Sequence, residues 1–261
     1  MNISSLENPH IKSAVKLRDS SSRRRELEQF FLEGARLCAD AFESGYRPLR
    51  CFVTARARER YGEGLAPMLA ATESVYDIPP ALAKKLGDTE SPQGVFAVFC
   101  LPSAKNAALF WSGRGKYLAL ENLQDPANLG AIARTAEALG ADGLLVSGGC
   151  DRFHPKALRA SMGALLRIPL LQADELSEEL HRARALGLPI LAAVPEAAAL
   201  PLTALPLTGG AVVLIGNEGA GLSAPALSAC TARVTIPMRG RAESLNAAAA
   251  ATILLWEMMR E

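Results

Sequence analysis

Three short segments of this chain carry side chains able to orient a reaction: DPANLGAIARTAEALG with Asn128 and Arg134, AVVLIGNEGAGLS with Glu218, and IPMRGRAESLNAAAAA with Ser244 and Asn246. In the first, Pro126 suits an opening helical turn, Gly140 suits a C-terminal stop, and small residues permit close backbone approach. Arg134 there is either a solvated or salt-bridged cation on a packed helix, or a cation aimed at a phosphate or ribose with Asn128 facing the same site. In the second, a buried strand meets a glycine-rich turn whose amides can reach a ligand, with a carboxylate at its middle. It is neither GxxxxGK[ST] nor GxGxxG, which disfavours kinases, NTPases and dehydrogenases, and an ordinary strand-to-helix turn can have the same composition. In the third, capping alone accounts for Ser244. Asn246 falls in the first turn of an Ala-rich helix, where Asn is a mediocre helix former and is better explained by a hydrogen bond to something outside that helix.

The elements around these segments say where they must lie. From Tyr117 onward, apolar strands alternate with helices: YLALE (117–121), a helix over 126–139, GLLVS (143–147), a helix over 155–165, IPLL (168–171), a helix over 174–186, PILAAV (189–194), AVVLIG (211–216), a short helix near 223–230, RVTIP (233–237) and a last helix over 244–260. Near-continuous apolar strands separated by helices predict a parallel sheet covered on both faces, an α/β domain. Ligands of such sheets bind at the carboxyl ends of strands, and all three segments are strand-end loops. The last helix carries Leu245, Ala249, Thr252, Trp256 and Met259 at three- and four-residue spacing, with Ile253 and Leu254 on other faces. Such a helix is either fully buried or part of a subunit interface.

Ahead of this domain lies a smaller one. Ile11 and Val15 share a helical spacing with Lys12 and Lys16 beside them, and Arg23, Arg24 and Arg25 follow. Leu27, Phe31, Ala35, Cys38 and Phe42 predict a helix over 26–44 ended by Gly45. Strand-like RCFVT, SVYDI and GVFAVFC follow, with helical ALAKKLG between the last two. These make an α/β or α+β domain at 1–105, a linker around 101–116 and a second domain at 116–261.

Composition narrows the class. Of 261 residues 49% are hydrophobic and 21% charged, which supports a packed core and excludes a disordered chain. The longest apolar run, LNAAAAATILLWEMM, is too short and too Ala-rich to span a membrane. The N-terminus carries no secretory h-region, so a cytoplasmic location is expected. Five scattered cysteines without a CxxC pair, and three dispersed histidines, predict neither a disulfide framework nor a metal site. Net charge is only +1, but residues 1–60 hold 12 Lys/Arg against 8 Asp/Glu, so the first quarter is the basic part. Lys12, Lys16 and Arg23 to Arg25 are accordingly a candidate RNA-docking surface, or else a solvated charged face.

Each segment is ambiguous alone, yet together and in this order they resemble the motifs of the SpoU/TrmH family of RNA methyltransferases. Asn128, Gly130 and Arg134 match the first motif, GNEGAGLS around Glu218 the second, and IPMRGRAESLNAAAAA around Ser244 and Asn246 the third. NPHIKSAVKL, FFLEGARL and DTESPQGVFAV in residues 1–101 resemble the L30e-like substrate-binding domain attached to many members. The resemblance implies a SPOUT-class fold with a trefoil knot, an exception to the rule against knots. It also implies transfer of a methyl group from S-adenosyl-L-methionine to a ribose 2′-hydroxyl, and a homodimer that completes the RNA-facing site. Cofactor contacts map to Gly216, Ile236, Met238 and Leu245, with Val194 and Leu214 added by analogy. Arg134 maps to the catalytic residue, with Asn128, Glu218, Ser244 and Asn246 organising the site. Since a guanidinium stays charged, Arg134 is expected to hold phosphate and ease alkoxide formation rather than accept the proton. Ribosomal RNA is the expected substrate ahead of transfer RNA. The alternatives are a non-enzymatic RNA-binding or ribosome-assembly protein on the same fold and a nucleotide-dependent enzyme on a doubly wound sheet.

Overall fold

A computed structural model of the chain describes residues 1–102, 111–196, 198–204, 207 and 209–260, so residues 103–110 of the expected linker lie outside the described residues. The chain divides into two compact units, Met1–Ser103 with Phe153–Leu166, and Ala104–Arg152 with Arg167–Glu261.

The first unit runs α1 (Pro9–Asp19), α2 (Ser21–Leu27), β1 (Gln29–Glu33), α3 (Ala35–Glu43), β2 (Pro48–Val53), α4 (Ala55–Ala71), β3 (Ser74–Asp77), α5 (Pro80–Leu86) and β4 (Val95–Cys100). Its sheet has the order β1-β4-β2-β3, with β4 antiparallel to both neighbours and β2 parallel to β3. The helix expected over 26–44 is instead α2, a strand and α3. Glu28 ends α2 in the left-handed region at φ 51 and Gly34 opens α3 at φ 108. Four-residue spacing picked out Phe31 alone, whereas Phe30, Phe31 and Leu32 are all buried, the mark of a strand covered on both faces. Helix α4 has no counterpart among the elements expected from periodicity, and its first turn is capped by Thr54.

The second unit is built on β5 (Lys116–Glu121), α6 (Pro126–Leu139) and β6 (Gly143–Ser147); after α7 (Pro155–Ala160) and α8 (Ala164–Arg167), which fall in the segment belonging to the first unit but for Arg167, it resumes with β7 (Leu170–Ala173), α9 (Leu176–Ala185), β8 (Ile190–Ala193), β9 (Leu200–Pro201), β10 (Ala211–Ile215), α10 (Ala224–Ala229), β11 (Ala232–Thr235) and α11 (Ala247–Met259). Its seven strands are all parallel, in the order β7-β6-β5-β10-β8-β11-β9. The helix expected over 155–165 breaks into α7 and α8 at Met162 and Gly163, both with positive φ, and segment Phe153–Leu166 groups with the first unit, where the Phe153 ring lies 4.6 Å from that of Phe30.

Alternation along the central strands sets the two layers. Tyr117, Ala119, Val212 and Leu214 pack with Leu176 and Leu180 of α9 and Ala226 and Ala229 of α10. Over the other face, α11 packs along α6 and against β5 and β10. The interior of α11 is Ala247, Ala251, Leu254, Leu255 and Met258, while Ile253 and Trp256 are 42% and 62% exposed. Among the described residues no helix is long and apolar enough to cross a membrane.

Candidate active site

At the carboxyl ends of β8, β10 and β11 the second unit has a cavity of about 660 Å³. Val194 borders it after β8, Gly216 to Gly221 after β10, Ile236 and Met238 after β11, and Glu243 to Asn246 ahead of α11, with Ala250 and Leu254 of α11 also contributing. Its position follows from the topology: consecutive strands β10 and β11 are separated by β8, so the loops leaving them splay apart.

The loop after β10 is held from both sides. Asn217 and Gly221 exchange two backbone hydrogen bonds of 2.9 Å, and Asn217 Oδ1 accepts from Gly219 N and Ala220 N. Gly216 must be glycine because a Cβ there would lie 2.2 Å from the Gly221 carbonyl carbon. At the root of the loop the buried Glu121 carboxylate, at the end of β5, accepts from Ser223 N at 2.8 Å and Ser223 Oγ at 2.6 Å. Ser223 in turn caps α10. At its tip Glu218 accepts from Gln124 N at 3.1 Å, Asp125 N at 3.4 Å and Asn128 Nδ2 at 3.0 Å. Asn217 Nδ2 adds a bond to the carbonyl of Asn122, a residue held at φ 54.

The network continues to the third segment. Asn246 Nδ2 donates to Asn128 Oδ1 at 3.1 Å, while Asn246 Oδ1 accepts from Ala248 N and Ala249 N. Asn246, not Ser244, is therefore the cap of α11, because its short carboxamide can close the helix and reach α6 at once. Ser244 lies exposed on the cavity wall. Partial burial pushes the Glu218 carboxyl up, but the donors Asn128, its own backbone N–H, Gln124 and Asp125 together leave it below the ordinary carboxylate value. An ionised carboxylate with its oxygens already engaged is a scaffold and a poor proton acceptor.

The remaining site expectations divide. Gly216, Ile236, Met238, Leu245 and Val194 border the cavity, as do Glu218, Ser244 and Asn246. Leu214 does not: it lies inside β10 on the face covered by α9 and α10 and is fully buried in the core, whereas Gly216 stands past the end of the strand, where the cavity opens. Asn128 reaches the site through its hydrogen bonds to Glu218 and Asn246. Arg134 is exposed on α6, outside the cavity lining. Glu121, Asn122 and Asn217 were missed. Glu121 had a legible signal, a lone carboxylate closing an otherwise apolar strand YLALE.

In the first unit Lys12, Lys16 and Arg25 are exposed, with Lys12 paired to Glu7 at 2.5 Å, and half-buried Arg23 paired to Glu26 at 2.6 Å. Arg24 is only 2% exposed and donates to the carbonyls of Leu17 and Arg18 at 2.6 and 2.9 Å, closing the C-terminus of α1. It cannot present its charge to RNA, because its place on α2 turns it toward the end of α1, where those carbonyls hold it.

A wholly parallel sheet with a glycine-lined cavity at its strand ends, and no phosphate loop or dinucleotide fingerprint, defines an α/β enzyme that holds its ligand largely through backbone and apolar contacts. Residues 115–256 match the model of the SpoU rRNA methylase family, and residues 8–97 that of the MRM3-like substrate-binding domain. The chain belongs to the SpoU rRNA methylase family. It is 33% identical to an uncharacterized tRNA/rRNA methyltransferase of Synechocystis sp., over 99% of this chain and 93% of that one. It is also 33% identical to the 23S rRNA (uridine(2479)-2′-O)-methyltransferase of Streptomyces viridochromogenes, over 92% and 85% of the two chains. Its fold matches the crystal structure of the SpoU methyltransferase AviRb from Streptomyces viridochromogenes in complex with the cofactor AdoMet, with a TM-score of 0.86, 31% identity and 97% of each chain covered.

Proposed function

We propose that this protein transfers the methyl group of S-adenosylmethionine to a ribose 2′-hydroxyl of ribosomal RNA in the cytoplasm. The observation that carries this reading is the cavity at the strand ends, whose walls include the second and third motif loops, tied to the first by the hydrogen bonds among Glu218, Asn128 and Asn246. Its residues fit the cofactor. Val194, Ile236, Met238 and Leu245 offer apolar surface for an adenine, with Met238 and Leu245 37% and 38% exposed, and the loop from Gly216 to Gly221 brings backbone groups close. When bound, the cofactor supplies a methyl group on a sulfonium, already activated toward nucleophiles.

The protein's task is then alignment of the ribose oxygen and relief of its developing charge. Glu218 and Asn128 fix the loops, and Ser244 on the cavity wall is placed to meet the substrate. Arg134 acts on the phosphate beside the target ribose, so that the proton leaves to phosphate or water rather than to a guanidinium. Because Arg134 does not line the cavity of its own chain, we assign it to the site of a second copy. The exposed Ile253 and Trp256 of α11 supply the apolar contact of that homodimer. The threading of the segment between β11 and α11 as a trefoil knot, and docking of RNA on Lys12, Lys16, Arg25 and half-buried Arg23 in a domain at 1–105, belong to the same proposal.

Calorimetric titration with S-adenosylmethionine tests the pocket: binding by the wild type and none by Leu245→Arg is expected, and no binding to the folded wild type overturns it. Mixing Arg134→Ala with Leu245→Arg protein tests the dimer. Each alone is inactive, and partial activity on mixing is expected only if the two residues serve one site from different chains.

A further inference from the structure

Residues 116–261 hold 12 Lys/Arg and 14 Asp/Glu, so this half of the chain has no excess charge with which to attract a polyanion. Where its cations stand therefore matters more than how many there are. Four arginines of the second unit are neutralised by ion pairs: Arg167 with Glu137, Arg182 with Glu179, Arg233 with Glu196 at 2.9 Å and Arg260 with Glu257 at 2.6 Å. Arg134 and Arg184 are exposed and without an ion pair among the described residues, but only Arg239 and Arg241 combine this with a place in the stretch that borders the cavity. These last two are exposed and make no hydrogen bond or ion pair with the described residues. They interleave with the stretch whose Met238, Glu243 and Leu245 border the cavity, and Glu243, two residues from Arg241, lines that cavity without pairing with it. Neither arginine supports the fold, and neither borders the space the cofactor fills.

We propose that Arg239 and Arg241 form a phosphate clamp at the mouth of the cavity, holding the RNA backbone next to the ribose that is methylated. The inference rests on the reading of the cavity as the cofactor pocket. A ribose hydroxyl can reach a methyl group inside only if the strand crosses the mouth, and every internal ribose carries a phosphodiester on each side. A guanidinium matches phosphate with two parallel N–H donors, and an unpaired one has no ion pair to break before doing so.

The test is RNA binding by the full-length protein against salt concentration, comparing wild type, Arg239→Gln/Arg241→Gln and Arg239→Lys/Arg241→Lys. Each phosphate contact contributes roughly 0.7 to 0.9 to the slope of log K against log salt, so the Gln pair should lower the slope by about 1.5 and raise the RNA KM more than tenfold. The Lys pair should restore the slope. S-adenosylmethionine affinity and Tm should match wild type in both variants. An unchanged slope in the Gln pair overturns the clamp, and so does a parallel fall in cofactor affinity, which would mean that the arginines shape the loop instead. The slope is read from RNA alone and the pocket from calorimetry alone, so the two readings fail separately.

Discussion

The loop after β10 and the turn between α1 and α2 are both short and polar, yet they satisfy their polar groups over different distances. In the α1–α2 turn Ser20 and Arg24 find neighbours, Ser20 accepting from Arg23 N and Arg24 reaching carbonyls seven and six residues back, while Arg18 reaches farther, to the carbonyls that end α5. The loop after β10 is held by residues 90 to 118 positions apart, through Glu218 to Asn128 and Asn128 to Asn246. Local partners such as those of Ser20 and Arg24 finish a helix end. Distant partners make three irregular loops into one object, so a change in one is felt in the others.

The largest effect that would break this comparison is at Gly216. Replacing it with Ala drives a Cβ into backbone at 2.2 Å, which nothing flexible can relieve. Calorimetry should show S-adenosylmethionine affinity weakened on the order of a hundredfold, about 3 kcal/mol, and wild-type affinity would mean that the loop is not the pocket wall. Arg24→Ala should come next, destabilising the first unit by about 2 kcal/mol in urea melts and leaving cofactor affinity untouched, because two buried carbonyls lose a charged donor. Arg25→Ala, one residue on and exposed, should change stability by no more than about 0.5 kcal/mol.

Glu218→Ala and Asn128→Ala sharpen the contrast. Each should weaken cofactor binding by about 1.4 kcal/mol, roughly tenfold, and the double variant should fall short of their sum because they share one hydrogen bond. Strict additivity would show that the loops are held independently.

The smallest effect is a pH dependence. The folded Glu218 carboxyl lies below its ordinary value of 4.5, so the stability it contributes is present above that value and is lost only as pH falls through the lower folded one. S-adenosylmethionine affinity should show no carboxylate titration from Glu218 between neutrality and about pH 5, and a Glu218-dependent loss inside that range would reverse the sign assigned to its donors.

Much of this was legible in the chain. The strands from YLALE to RVTIP were readable because a parallel sheet buried on both faces needs unbroken apolar runs. Gly216, Ile236, Met238, Leu245 and Val194 were placed by the resemblance of the motifs to those of the SpoU/TrmH family, and all five border the cavity. Leu214 does not, since it stands inside the strand, two residues before Gly216, under the helices of the core and not at the opening. Gln29–Glu33 was read as helix because a four-residue spacing samples one residue of a strand and ignores its neighbours. The inward turn of Arg24 was invisible because Arg23, Arg24 and Arg25 are chemically identical and only the packing of α1 on α2 distinguishes them.

The amino-acid sequence by itself determined the parallel architecture, the basic first quarter and the three polar strand-end loops, because periodicity, glycine and charge are local properties. Only the tertiary structure decided that Asn246 caps α11 while holding Asn128, that Glu121 clasps Ser223, and that Arg239 and Arg241 stand unpaired beside the cavity. Those facts depend on which distant atoms come within hydrogen-bond range, about 3 Å, and no local pattern encodes that distance.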